Sequence, residues 1–132
     1  MFWGMLDERT LPVGEFRTDS NVMRRITRGW HRAVGALAAE GNDLIVDELW
    51  IHRCWLDDWN QVLTGLRWWS VLLKASLPAL REREAARMDR PSGLAAADLT
   101  MAPEAWSFDL VIDTEGRTVA ECAAAIAGLI SG

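Results

Sequence analysis

The sequence predicts an α/β fold, a parallel sheet with helices flanking it. Two observations carry that expectation. The hydrophobic period switches repeatedly between helical three- and four-residue spacing and short apolar runs, and three such runs are separated by helical stretches. Strands alternating with helices form βα units, which require parallel pairing and right-handed crossovers. No internal repeat is present, and 132 residues are the length of one domain with one core.

From Ser20 to Glu40, apolar Val22, Ile26, Trp30, Ala33, Val34 and Leu37 recur at helical spacing, with Ser20 placed to cap the start and Gly41 to end it. "LIVDELWI" (44–51) opens with an aliphatic run that meets two acids, the pattern of a buried strand reaching its carboxyl end. Leu56, Trp59, Val62, Leu63 and Leu66 mark a second helix ending near Gly65, and "WWSVLLK" (68–74) marks a second strand. Ser76 and Leu77-Pro78 begin a third helix, since Pro is tolerated at a first helical turn. Pro91, Ser92 and Gly93 break that helix, "LAAAD" makes a brief helical turn, and residues 100–106 read as a loop. "FDLVID" (108–113) is a third strand, and a turn at Glu115-Gly116 leads into a last helix of small apolar residues through Ile130.

Composition narrows the function. A formal net charge of −5 and a pI near 5.0 argue against a general nucleic-acid binder, which needs a concentrated basic face. No apolar run approaches the roughly 18 residues of a membrane span, and the first residues lack the basic and apolar regions of a signal peptide. Cys54 and Cys122 stand far apart without metal-ligand spacing, as reduced thiols of a cytoplasmic protein would. Lys74 is the only lysine among 14 basic residues, so arginine dominates. That bias suits bidentate contacts to phosphate, and a GC-rich genome would produce it equally.

Arg83, Arg87 and Arg90 fall at i, i+4 and i+7, on one face of the third helix if it continues that far. They suit a lid closing over a nucleotide's phosphates. The plainer reading is a solvated face balanced by Glu82, Glu84 and Asp89. Asp47 and Glu48 stand where an open parallel sheet places its ligands, and an acid there commonly supports magnesium. A capping or exposed turn acid is the alternative. Among eight tryptophans, Trp50, Trp55 and Trp59 could wall a pocket, although such residues more often pack a core. His31 and His52 have no companion group at a readable spacing, and neither is assigned a role. No GxxxxGK[ST] phosphate loop occurs, because Lys74 lies at a strand end before Ala75.

The order of these pieces resembles the chloramphenicol phosphotransferase-like family of small phosphate-loop kinases. The likeness runs over almost the whole chain, and the stretches that carry it are "RGWHRAVGALAAEGNDLIVDELW", "LREREAARMDRPSGLAA" and "FDLVIDTEGRTVAECAAAIAGLI". The resemblance implies ATP-dependent, magnesium-dependent phosphorylation of a small-molecule hydroxyl. It makes Arg83, Arg87 and Arg90 lid residues, and it sets Asp47 and Glu48 on the family's acidic strand end. The substrate stays open; antibiotic modification is what the family's name implies.

In the family a first strand, the phosphate loop, a helix and a second strand closed by a catalytic aspartate come before the region that "MFWGML" resembles. By that register the phosphate cradle and the general base fall upstream of Met1. Residues 1–132 are then expected to form a single, incomplete domain without phosphotransferase activity of its own. A shifted register would make Asp7 the base. The family's first strand lies between the strands matching 44–47 and 70–74, so its loss is expected to leave two inner edges that close up or drive homodimerisation. The alternative function is a non-catalytic remnant that binds a nucleotide or a protein.

Overall fold

The computed structural model describes residues 21–48, 53–87, 93, 95–96, 99 and 107–132. In chain order these form α1 (Asn21–Ala39), α2 (Arg53–Val62), β1 (Val71–Lys74), α3 (Leu77–Ala85), β2 (Leu110–Asp113) and α4 (Val119–Ser131). β1 and β2 pair in parallel, Val71 opposite Leu110 through Lys74 opposite Asp113. The mixed helix and parallel-strand architecture is α/β in kind, with two described strands where three were expected.

The missing strand is the one at 44–51. Residues 42–48 take no regular secondary structure, and Ile45 is fully exposed; residues 49–51 lie outside the described residues. A strand holds its shape through hydrogen bonds to a neighbour. Among the described residues no backbone partner meets 42–48.

α1 ends where expected, and Ser20, the expected cap of its start, lies outside the described residues. Gly41 closes it at φ +88°, a left-handed conformation that a side chain would resist. The buried face, however, is rotated from the apolar stripe. Thr27, His31 and Val34 are buried, while Ile26, Trp30 and Leu37 are 42%, 44% and 52% exposed. Successive helical residues are about 100° apart, so a shift of one position exchanges one face for the next. α2 selects the polar face for two reasons. Gly35 lets the helices approach so closely that a Cβ there would lie 3.0 Å from the Val62 carbonyl oxygen and 3.2 Å from its Cβ. His31, one turn earlier, supplies a polar partner described below. Val34, Trp59 and Leu63 form the small core between the two helices, with Ala38, Val62, Leu66 and Trp68 packed around it.

The strands are fastened at both ends. At their amino ends Asp109 Oδ2 accepts from both the Ser70 backbone N–H and the Ser70 hydroxyl at 2.7 Å, and the Ser70 hydroxyl oxygen accepts from the Asp109 N–H at 3.1 Å. At their carboxyl ends the Thr114 N–H and hydroxyl both donate to the Lys74 carbonyl, at 2.9 and 3.0 Å. Ile112, buried in β2, is the sheet's most enclosed side chain. α4 begins with a full capping box, in which the Thr118 hydroxyl accepts from the Glu121 N–H and the Glu121 carboxylate accepts from the Thr118 N–H.

α3 starts as expected, with Ser76 as N-cap and Pro78 in the first turn. It ends earlier than expected, at Ala85. The last turn tightens as the N–H of Arg87 reaches back three residues to the Glu84 carbonyl. The Glu84 carboxylate then receives the N–H groups of Gly93 and Ala95, drawing the following turn back to the helix.

Two outcomes follow for stability. Gly35→Val inserts a branched side chain against Val62, and urea unfolding should show a loss of about 1–3 kcal/mol, as for other overpacked helix contacts. The second concerns acid. Asp109 titrates below the ordinary 3.8 chiefly because the Ser70 backbone N–H, and then its hydroxyl, bind the charged form. A folded pKa below the unfolded one stabilises the fold above the usual carboxylate range, and that contribution is lost as pH falls through the folded value. Asp109→Asn should therefore lose less melting temperature than the parent on acidification below about pH 5, and equal slopes would count against the clamp.

Candidate functional site

Two places gather chemistry-bearing side chains. The first is the buried contact between α1, α2 and the segment 42–48. His31 has no exposed surface, and its Nε2 lies 2.9 Å from Glu48 Oε1. A carboxylate only accepts, so Nε2 carries a ring proton and donates. The Trp59 indole N–H donates to the other oxygen, Glu48 Oε2. The Trp59 ring also packs on the imidazole at 4.3 Å between centroids, and Trp55 meets it edge-on at 6.4 Å. On the opposite side of the ring, His31 Nδ1 is buried with no hydrogen-bond partner and lies 3.7 Å from Asp58 Oδ2. Asp58 in turn sits 3.6 Å from the Arg28 guanidinium.

The adjacent acids Asp47 and Glu48 thus part company. Glu48 turns inward and is held on both oxygens, whereas Asp47 is exposed. Trp59 belongs to the core, as the plainer reading of the tryptophans has it. His31 is the residue that sequence reasoning missed. Its burial had one visible sign, its place four residues before Gly35 on the face that avoids the large apolar side chains.

The second place is the carboxyl end of the two strands. Arg83 Nη1 donates to the Thr114 hydroxyl at 2.8 Å and Nη2 to the Thr114 carbonyl at 3.1 Å. Thr114 also binds the Lys74 carbonyl, and Glu115 accepts from the Ser76 N–H, so α3 is tied to both strand ends. Arg87 is exposed just beyond the helix and does not share a helical face with Arg83. Arg90 and Asp7, like Trp50 and His52, lie outside the described residues.

The model of the family described as chloramphenicol phosphotransferase-like protein matches residues 1–131. The chain belongs to the chloramphenicol phosphotransferase-like family. No curated protein matches it.

Membership implies a magnesium nucleotide, and the residues present can be tested against that. Magnesium keeps most of its water and is commonly held by one or two carboxylates together with substrate phosphates. Exposed Asp47 fits that supporting role. Among the described residues no three His, Cys, Asp or Glu side chains gather to cage a metal, which such a site does not require. Arg83 fits the phosphates, being a planar donor with permanent charge at the strand ends, and Arg87 is of the same chemical type. Among the described residues no helix is long and apolar enough to cross a membrane.

Proposed function

We propose that this chain carries the arginine lid and the acidic pair Asp47–Glu48 of an ATP-dependent phosphotransferase acting on a small-molecule hydroxyl. The observation that carries the reading is the position of Arg83, lodged over the carboxyl ends of two parallel strands, where open α/β sheets receive ligands. Arg83, Arg87 and Arg90 act on the nucleotide's phosphates, and Asp47 supports magnesium while Glu48 fastens its segment inward. Bound ATP would supply the phosphoryl group; the arginines' part is to offset the charge that develops on it.

The 132 residues contain no GxxxxGK[ST] cradle. Taken alone they are therefore assigned nucleotide binding without turnover. Incubated with magnesium and γ-labelled ATP, the chain should transfer no label to hydroxylated acceptors, and calorimetry should show magnesium-dependent binding in the range of about 1 mM, equivalent to about 4 kcal/mol. Loss of one charge-assisted contact in Arg87→Ala should weaken that binding about tenfold. Label transfer by the chain alone would overturn the inactive reading, and binding indifferent to Arg87 would overturn the lid.

A second reading, a binding remnant that associates through its faces, is favoured by one observation. Ile26, Trp30, Leu37, Leu44, Ile45 and Leu73 all leave large apolar surface exposed, more than isolated surface residues require. Light scattering separates the two, with a dimer mass supporting self-association and a monomer counting against it.

A further inference from the structure

We infer that His31 is a positioning residue, which sets Asp47 in place by gripping the neighbouring carboxylate of Glu48. The inference rests on the reading of Asp47 as the magnesium support.

The segment that carries Asp47 has little else to hold it. Residues 42–48 take no regular secondary structure, and Leu44, Ile45 and Val46 are exposed. Asn42 binds only the nearby Leu37 carbonyl. Among the described residues, the hydrogen bonds that tie 43–48 to the rest of the fold are those of Glu48, from His31 Nε2 at 2.9 Å and from the Trp59 indole. Both donors are rigid. His31 has no exposed surface and is packed against Trp59, itself only 4% exposed in the core. A carboxylate held on both oxygens by rings fixed in this way has little freedom to turn.

Asp47 is one peptide unit away. Fixing Glu48 therefore limits where the Asp47 carboxylate can go, much as partners behind a metal ligand orient it and tune its affinity. With Glu48 inward, Asp47 is the member of the pair turned to solvent. The pair is thus one anchor and one working group, and His31 serves the anchor.

Three variants separate this role from simple stability. His31→Leu removes the donor, His31→Gln can restore one near the Nε2 position, and Trp59→Phe keeps an aromatic ring while removing the indole donor. In the metal-free chain, the backbone order parameters of residues 46–48 from nuclear magnetic resonance relaxation should fall towards the flexible range of about 0.6 in His31→Leu, fall less in Trp59→Phe, and return towards the parent in His31→Gln. Binding of Mn²⁺ with ATP, followed by electron paramagnetic resonance, should weaken about tenfold in Asp47→Asn and at least threefold in His31→Leu. The double variant should bind no more weakly than Asp47→Asn alone, because both changes act through one carboxylate. Mn²⁺ affinity unchanged in Asp47→Asn, or no Mn²⁺ binding by the parent, would remove the magnesium reading and the inference with it. Affinity lost in Asp47→Asn but retained in His31→Leu would overturn the positioning role alone. Should His31→Leu fail to fold, Trp59→Phe decides, and unchanged order parameters and affinity there would overturn it.

Discussion

A carboxylate enclosed by protein must be met by donors, and the Glu48 side chain meets two. That requirement organises half of the molecule. His31 and Trp59 come from different helices, so satisfying Glu48 brings α1 and α2 together around one polar point. Leaving a charged group of this kind unpaired inside the fold would cost several kcal/mol, a cost of the same order as that of leaving a few large apolar side chains half exposed. The exposed Ile26, Trp30 and Leu37 are consistent with that balance: α1 turns its histidine inward and leaves large apolar groups on another face.

The other half depends on two parallel strands fastened at their ends. Ser70 and Asp109 close the amino ends with reciprocal hydrogen bonds, and Thr114 joins the carboxyl ends to Arg83. A four-residue parallel pair is marginal without such support. The clamp at the carboxyl end also holds Arg83 at the edge where open parallel sheets bind ligands. The chain's membership of the chloramphenicol phosphotransferase-like family is what makes that edge the place to look for a phosphate.

Much of this was legible in the sequence, and the parts that were not share a cause. Helix limits followed from local signals: Gly41 past α1 and Ser76 and Pro78 at α3. The turn at Glu115-Gly116 announced α4, while its Thr118–Glu121 capping box emerged only in the structure. Two of the three expected strands form, because "VLLK" and "LVID" pair with each other. "LIVD" does not, because strand propensity becomes a strand only where a partner supplies hydrogen bonds. The early end of α3 depends on Glu84 being recruited by Gly93 and Ala95, a contact that spacing does not reveal. Of the candidate site, the acids and arginines were readable as residue types, but the strand end expected at Asp47 and Glu48 is a segment without regular structure. That Glu48 turns inward while Asp47 stays exposed was not readable, because it depends on a histidine 17 residues away in the chain. Hydrophobic periodicity points to the wrong face of α1 for the same reason, since it counts apolar side chains and is blind to a buried polar contact.

The central claim is that Glu48 is held by two ring donors inside the fold, and nitrogen-resolved nuclear magnetic resonance of the imidazole and indole protons tests it most directly. The account predicts a His31 Nε2 proton slow to exchange with water and close in space to the Trp59 indole proton, with both signals shifted together in Glu48→Gln. A His31 ring proton exchanging as fast as a free imidazole, with no contact to the indole and no response to Glu48→Gln, would contradict it.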